Sequence, residues 1–333
     1  MDERELEELL SEPCETARRT LEECPGDVAV LGAGGKMGPT LAMMLRKAAP
    51  QRRVYAVSRF GDQQVKMRIE ACGVETLELD LLDETAYTRL PDVPNVFYLV
   101  GMKFGATGQQ ALTWALNVHV PALVAKRYKN ARIVALSTGN VYPFVAPAAG
   151  GCREDDVPGP VGEYAQSCLG RERTFEYFSQ CHETPVTLIR LNYANEPRYG
   201  IIVDLTRKIL QGTPIDVTMG AVNLIWQGDA NNFIIAALGL AASPPAILNV
   251  TGPETVAVRD LAVRFGEHFG REPVLRNLEG ETALLSNGAR ARERFGPDPV
   301  DLTVMIRWIV HWLRERRSVW TKPTHFQTRD GAF

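Results

Sequence analysis

The sequence predicts an α/β fold, a doubly wound parallel sheet followed by a smaller C-terminal α/β subdomain. Two observations carry the prediction. Apolar runs of strand length alternate with stretches of helical spacing from residue 28 to residue 190. The first run, Val28 to Leu31, leads straight into Gly32-Ala33-Gly34-Gly35-Lys36-Met37-Gly38, and Thr40 to Ala48 then reads as a helix. With 333 residues, 45% hydrophobic and 23% charged, the chain can fill a large core and more than one structural unit. A formal net charge of −3 offers nothing to nucleic acid or to an anionic membrane surface. No run approaches the roughly 18 apolar residues of a membrane span. Cys14, Cys24, Cys72, Cys152, Cys168 and Cys181 lack CxxC spacing, which predicts no metal site and no disulfide scaffold, only reduced thiols in a cytoplasm. The opening Met1-Asp2-Glu3-Arg4-Glu5 is acidic, with no apolar core of signal length after it, and supports the same cytoplasmic expectation.

Residues 1–26 read as a helical extension. Leu6, Leu9, Leu10, Ala17 and Leu21 fall at mixed helical spacings interrupted at Pro13, which predicts one or two short helices docked on the main domain or on a partner subunit. Strand, glycine turn and helix then follow in the order that a dinucleotide requires. Gly32 permits the tight turn, Gly35 lets the backbone approach a pyrophosphate, Gly38 lets helix and strand pack closely, and Lys36 and Met37 complete the cofactor-binding turn. The plainer reading is a glycine-rich turn without a ligand. Residues 27–190 are thus expected to form an NAD(P)-binding Rossmann domain.

The second strand, Val54 to Val57, ends at Ser58-Arg59, about 20 residues past Gly38, where an NAD-specific site carries an acid for the ribose 2′-hydroxyl. Serine and arginine suit a 2′-phosphate instead, because a guanidinium offers a charged fork to phosphate oxygens. NADP is therefore the expected cofactor and NAD the alternative; Arg59 as a mere surface residue is the competing reading. A third strand, Val74 to Leu79, delivers Asp80-Leu81, and a fourth, Val96 to Val100, ends at Gly101, with helices expected over Thr85 to Leu90 and Gln109 to Lys129. Lys103 follows the fourth strand at the sheet edge where open α/β folds keep their ligands. It reads as a cation for cofactor or substrate, or else as a solvated loop lysine.

The fifth strand, Arg132 to Leu136, leads into Ser137-Thr138-Gly139-Asn140-Val141-Tyr142, and there the chain resembles the extended short-chain dehydrogenase/reductase family, the NAD(P)-dependent epimerases and dehydratases typified by UDP-glucose 4-epimerase. That family's SSxxVYG is similar to Ser137 to Tyr142, with Pro143 in place of the last glycine. Gly32, Gly35 and Gly38 resemble its GxxGxxG, Asp80-Leu81 its adenine-contacting aspartate, Asn117-Val118 its NV, and Glu154-Asp155 its ED. Tyr164-Ala165-Gln166-Ser167-Cys168 with Glu172 resembles YxxSKxxxE except that cysteine stands at the lysine. Asn223 to Ala230 is similar to NxIHVxDxA and Asn249 to Pro253 to NIGGPE, so the resemblance spans residues 27 to 313.

The resemblance implies that Tyr164 exchanges a proton with a substrate hydroxyl or carbonyl while nicotinamide exchanges a hydride at the same carbon, and that Thr138 bonds the reacting oxygen. It implies a homodimer, paired through the helices that carry Asn117 and Tyr164. It further implies a carbohydrate-like substrate, a sugar or nucleotide sugar, held by the subdomain of residues 191–333, of which segments around 215–250 return to the Rossmann core. Asn140, Asn192 and Trp226 are the candidate substrate contacts. Plainer readings exist for each: Thr138 as a strand-end turn hydroxyl, Tyr164 as a packing aromatic, Trp226 as filling for the domain junction.

Cys168 is the departure with chemical consequences. A phenol near pKa 10 is only about one part in a thousand ionised at neutral pH, and a neighbouring ammonium moves such a group by roughly one to three units. Without the lysine, alcohol oxidation suffers most, whereas a neutral phenol still serves as an acid. Arg171 shares the helix face but lies about 10 Å along the axis from Tyr164, so no contact is expected. Cys168 as a nucleophile lacks a sequence-adjacent activating base. Two function classes follow: an NAD(P)-dependent oxidoreductase, epimerase or dehydratase, or a catalytically impaired NAD(P)-binding sensor or scaffold.

Overall fold

Each short apolar run becomes a strand. In the computed structural model, which describes residues 1–103, 105–296 and 299–332, β1 (Val28–Leu31), β2 (Val54–Ser58), β3 (Glu75–Glu78), β4 (Asn95–Tyr98), β5 (Arg132–Thr138), β6 (Val186–Leu191) and β7 (Ala246–Val250) form one sheet. Its order is β7-β6-β5-β4-β1-β2-β3, and every neighbouring pair is parallel. The chain reverses direction across the sheet between β1 and β4, which opens a crevice at the strands' C-terminal edge.

Side-chain alternation along the strands builds two cores. Val28, Val30, Phe97, Val134 and Ile189 face one side, while Ala29, Leu31, Tyr98, Ile133 and Leu188 face the other. Helices α1 (Glu3–Leu10), α2 (Glu15–Glu23), α3 (Gly38–Ala48) and α4 (Gln63–Ala71) precede the fourth strand, and α5 (Gln110–Trp114), α6 (Val120–Arg127) and α7 (Gly162–His182) follow it. The C-terminal half adds α8 (Ile201–Gln211), α9 (Gln227–Ala236), α10 (Val258–Phe269), α11 (Ala289–Phe295) and α12 (Leu302–Arg314). Residues of α2, α3 and α9 cover the first face and residues of α6 and α7 the second. A further core gathers Ile209, Phe265, Ile309 and Trp312 with Leu6 and Leu10. The N-terminal helices therefore dock on their own chain, tied by Cys14 N donating to Asn232 Oδ1 at 2.7 Å and Asn232 Nδ2 to the Glu12 carbonyl at 3.1 Å.

Two helices differ from the sequence expectation, and a third stretch is irregular. The helix expected at Thr85 to Leu90 is a 3-10 stretch, Glu84–Arg89, because Pro91 keeps Leu90 extended and stops the turn. The helix expected from Gln109 to Lys129 switches to a π turn at Ala115–His119. Pro121 explains it: proline has no N–H for the carbonyl of Asn117, four residues back. Ile215 to Leu224 breaks into Ile215–Asp216 and Ala221–Asn223, with Asp216 accepting from the Thr218 amide and hydroxyl in the intervening turn. Both pieces pair outside the main sheet.

Beneath the sheet's C-terminal edge lies a buried polar network. Arg190 of β6 and Glu172 of α7 pair at 2.8 Å and 3.1 Å, each side chain 2% exposed. Ser137 donates to the same carboxylate at 2.5 Å, and Arg190 also donates to the Tyr142 hydroxyl at 2.8 Å and the Glu154 carbonyl at 3.3 Å. Tyr142 in turn donates to Asn249 Oδ1 at 2.8 Å, and the Asn249 amide to the Glu154 carboxylate at 3.0 Å. A buried ion pair is tolerated only when its remaining donors and acceptors are met in this way. Glu172→Gln should thus lower the unfolding free energy by about 3–5 kcal/mol, measured by denaturant titration. Arg53→Ala, in the exposed pair with Glu75, should leave the midpoint where it was.

Candidate active site

The glycine turn has the shape of a phosphate cradle. Gly32 adopts φ +89°, and a β-carbon there would lie 2.8 Å from Val100 N; one on Gly38 would lie 2.5 Å from Ala33 Cα. Both positions therefore exclude a side chain, and Gly34 and Gly35 are exposed. Helix α3 starts at Gly38 with no side-chain cap, so its first-turn amides are left for an anion. These features fit a dinucleotide pyrophosphate. At one end of the cradle, Ser58 Oγ closes on Gly34, and the exposed Arg59 guanidinium lies 3.8 Å from Asp80 Oδ2. Val100 and Gly101 stand at the end of β4, on the far side. Met37 and Leu81 turn their side chains into the core and can contribute backbone alone. Lys36 does not face outward: its ammonium bonds the Ala194 carbonyl and lies 4.5 Å from the Tyr199 ring. Burial brings its pKa down to about 7, against the pull of Glu196.

The candidate proton-handling groups meet at the C-terminal ends of β4 and β5. Tyr164, in the first turn of α7, has its phenol within hydrogen-bonding reach of the Thr138 hydroxyl and the Cys168 thiol. Thr138 Oγ1 also donates to Asn140 Oδ1 at 2.9 Å and accepts from the Asn140 amide at 3.2 Å. Lys103 is half-buried, its ammonium 5.7 Å from the Tyr164 ring centroid, and burial brings it down to about 8. The structure thus brings Lys103, Thr138, Asn140, Tyr164 and Cys168 together. Burial pushes the phenol well above its ordinary pKa, with the thiol at 168 adding to the rise, so it stays protonated at neutral pH. Cys168 is fully buried among Val141, Tyr142 and Cys152, and burial likewise holds it as a neutral thiol.

The sequence missed Arg171. Its Cα lies two turns along α7, yet its side chain runs back toward the helix N-terminus, as helical side chains do. Nη2 donates to Asn117 Oδ1 at 2.5 Å and Nη1 to the Leu136 carbonyl at 2.7 Å. A β-carbon on Gly101 would lie 2.4 Å from Nη2, so the guanidinium packs directly against the backbone at the end of β4. Asn117, in the π turn, also accepts from the Met102 amide at 3.0 Å and donates to Ser167 Oγ at 2.8 Å. The readable signal was burial periodicity: Cys168, Arg171, Glu172 and Phe175 share the face of α7 that packs on the sheet.

On the substrate side, Asn192 is buried beside Gly139, and Ser286 approaches the same point from the C-terminal half, 3.1 Å and 3.0 Å from where a β-carbon on Gly139 would lie. Asn192 Nδ2 and Ser286 Oγ have no hydrogen-bond partner among the described residues, so two buried polar atoms beside Gly139 are left unsatisfied. Nothing in the sequence marks Ser286. Trp226 is elsewhere: it is 2% exposed in the C-terminal core, its ring centroid 4.8 Å from that of Trp308 with the planes tilted by 59°. The ring packs within that core. Residues of the C-terminal segment close the substrate side, Thr328 and Gly331 lining a small cavity with Asn140, Tyr142, Phe144 and Leu284. Arg329 anchors them, donating to the Thr282 carbonyl at 2.6 Å and lying 4.6 Å from the Phe144 ring. Among the described residues no cluster of His, Cys, Asp and Glu could hold a metal, and no helix is long and apolar enough to cross a membrane.

Residues 28–232, more than half of the chain, match the NAD dependent epimerase/dehydratase family. Among solved structures, MoeE5 in complex with UDP-glucose and NAD is 21% identical, with a TM-score of 0.72 over 87% of this chain and 99% of that one. UDP-glucuronic acid 4-epimerase from Bacillus cereus, in complex with UDP-glucuronic acid and NAD, is 17% identical with a TM-score of 0.73, over 87% and 99%. DesIV, a dTDP-glucose 4,6-dehydratase from Streptomyces venezuelae with NAD bound, is 18% identical with a TM-score of 0.75, over 87% and 97%. At such identities these similarities concern the fold. No curated protein matches the sequence. The chain belongs to the NAD dependent epimerase/dehydratase family, the extended short-chain dehydrogenases/reductases that its motifs resemble.

Proposed function

We propose that this protein is an NAD(P)-dependent enzyme that acts on a hydroxyl or carbonyl of a sugar or nucleotide sugar, with Tyr164 as acid and base and Thr138 orienting the reacting oxygen. The observation that carries the proposal is the Tyr164 phenol within hydrogen-bonding reach of the Thr138 hydroxyl, at the sheet edge that also carries the glycine cradle. A bound nicotinamide would supply the hydride chemistry. The chain's own residues handle the proton: Tyr164, protonated at neutral pH, gives it to the substrate oxygen while Thr138 turns its hydroxyl from Asn140 to the same atom. Asn192 Nδ2 and Ser286 Oγ hold neighbouring hydroxyls of the substrate. The nucleotide-sugar class rests on the family and on relatives of the same fold that bind UDP-glucose and UDP-glucuronic acid.

For the cofactor we favour NADP. The end of β2 carries no carboxylate, and Ser58 and the exposed guanidinium of Arg59 border the cradle instead. A homodimer fits the surface groove between α5, the π turn and α7, lined by Trp114, Val118, His119, Tyr177 and Phe178. It is apolar and carries Tyr177 at 62% exposure. A cytoplasmic location fits six cysteines that form no disulfide.

Three outcomes are expected. Tyr164→Phe should lower turnover of nucleotide sugars by about 10²- to 10⁴-fold, followed by nicotinamide absorbance, with NADP affinity unchanged. Cofactor that binds but never changes redox state across a panel of UDP- and dTDP-sugars would instead establish the sensor reading, for which Cys168 speaks. In calorimetric titrations NADP should bind more tightly than NAD, and Arg59→Ala should weaken NADP by about tenfold or more while sparing NAD. Light scattering should report a dimer that Tyr177→Glu converts to a monomer.

A further inference from the structure

We infer that Arg171 is the positioning cation of this site, its guanidinium holding beside Cys168 the positive charge that the resembled motif places on a lysine at that position. The inference rests on the reading of Tyr164 as the proton-exchanging group. Arg171 is 6% exposed, and its hydrogen-bond partners among the described residues are neutral: the Leu136 carbonyl and the Asn117 amide oxygen. The nearest carboxylate on its own helix, Glu172, is already claimed by Arg190 and Ser137. The charge of Arg171 is thus not cancelled by an ion pair, and Nε has no partner among the described residues. A guanidinium stays protonated at any working pH.

The surroundings are cut to fit it. Gly101 leaves room for Nη2, and Cys168 is small, buried and neutral where a second cation would meet the first at close range. Cysteine at 168 and arginine at 171 therefore form one exchange, a charge moved three residues along α7 and brought back by the length of the side chain. Electrostatics run in the required direction: Arg171 favours the ionised forms of both Tyr164 and Cys168, opposing burial. The other groups around the phenol are few. Cys168 of α7 and the uncharged Thr138 of β5 reach the phenol, while the neutralised Glu172 of α7 and Tyr98 of β4 act on the guanidinium. After β4 comes Lys103, over the ring face at 5.7 Å, whose own charge acts on Lys36 of the glycine turn and His325 of the C-terminal segment. Burial pulls Lys103 down to about 8, so its charge fades in the alkaline range where that of Arg171 persists.

The test replaces Tyr164 with an ortho-nitrated tyrosine, whose phenolate absorbs visible light, and titrates it in the full chain without substrate or cofactor. Arg171→Met should raise the apparent pKa of that phenol by about one unit or more, and Arg171→Lys should raise it less. Adding Cys168→Lys to Arg171→Met should bring it back down, a rescue that a purely structural role would not produce. Lys103→Met should move it less than Arg171→Met does. An unchanged titration in Arg171→Met, no rescue by Cys168→Lys, or a larger shift from Lys103→Met would each overturn the inference. If Arg171→Met does not fold, Arg171→Gln, which removes the charge but keeps a hydrogen-bond donor, takes its place in each of these comparisons, and an unchanged titration in Arg171→Gln or a larger shift from Lys103→Met sinks the proposal. The titration reads the phenol alone, so its failure is distinct from a loss of turnover in Tyr164→Phe, which tests the proposed function.

Discussion

The buried pair between Arg190 and Glu172 is the constraint on which the rest of the site depends. Taking two charges out of water costs several kcal/mol per ion unless each remaining donor and acceptor is met. The chain meets them with Ser137, Tyr142, Glu154 and Asn249, drawn from four separate segments. Those four, with Glu172, are among the positions at which the sequence matches its family's motifs. Much of what makes the motifs recognisable is therefore a structural lock at the sheet's C-terminal edge, and the residues proposed for the chemistry occupy the positions beside it: Thr138 next to Ser137, Tyr164 two turns before Glu172.

The lock also decides where charge is available. Because Glu172 is spoken for, the residue before it, Arg171, enters the same interior with no carboxylate partner among the described residues, and the helix backbone directs it toward Asn117 and Gly101. The π turn that Pro121 forces at Asn117 sets that asparagine between Met102, Ser167 and Arg171. Local backbone irregularity and the polar site are two sides of one arrangement. Burial, the same factor that keeps the phenol and thiol neutral, makes an unpaired guanidinium felt at short range, since fewer water dipoles screen it.

Much of the fold was legible from periodicity: β1, β2, β4 and β5, the glycine turn and helix α3 stand where the apolar pattern put them. What was missed has local causes. Pro121 broke a helix that the apolar spacing alone would run through, and Pro91 shortened another to a 3-10 stretch. In the site, Thr138 and Tyr164 could be found because their motif spacing is local to one strand end and one helix turn. Trp226 could not be placed, since the same apolar ring fills a core or lines a pocket, and Trp308, far away in sequence, decided for the core. Ser286 carries no pattern at all and reaches the site only through the folding of the C-terminal half.

By itself the sequence determined the doubly wound sheet, the cofactor turn and the pair Thr138 and Tyr164, because each is written in short-range spacing: alternation along strands, glycines at a turn, hydroxyls at a strand end and a helix start. It determined equally that no lysine stands at position 168. Only the tertiary structure decided where a replacing charge could come from. Residue spacing on a helix measures distances between backbone positions, while the reach of an arginine depends on which way its side chain runs, which acceptors wait for it across the interface, and whether a neighbouring carboxylate is already taken.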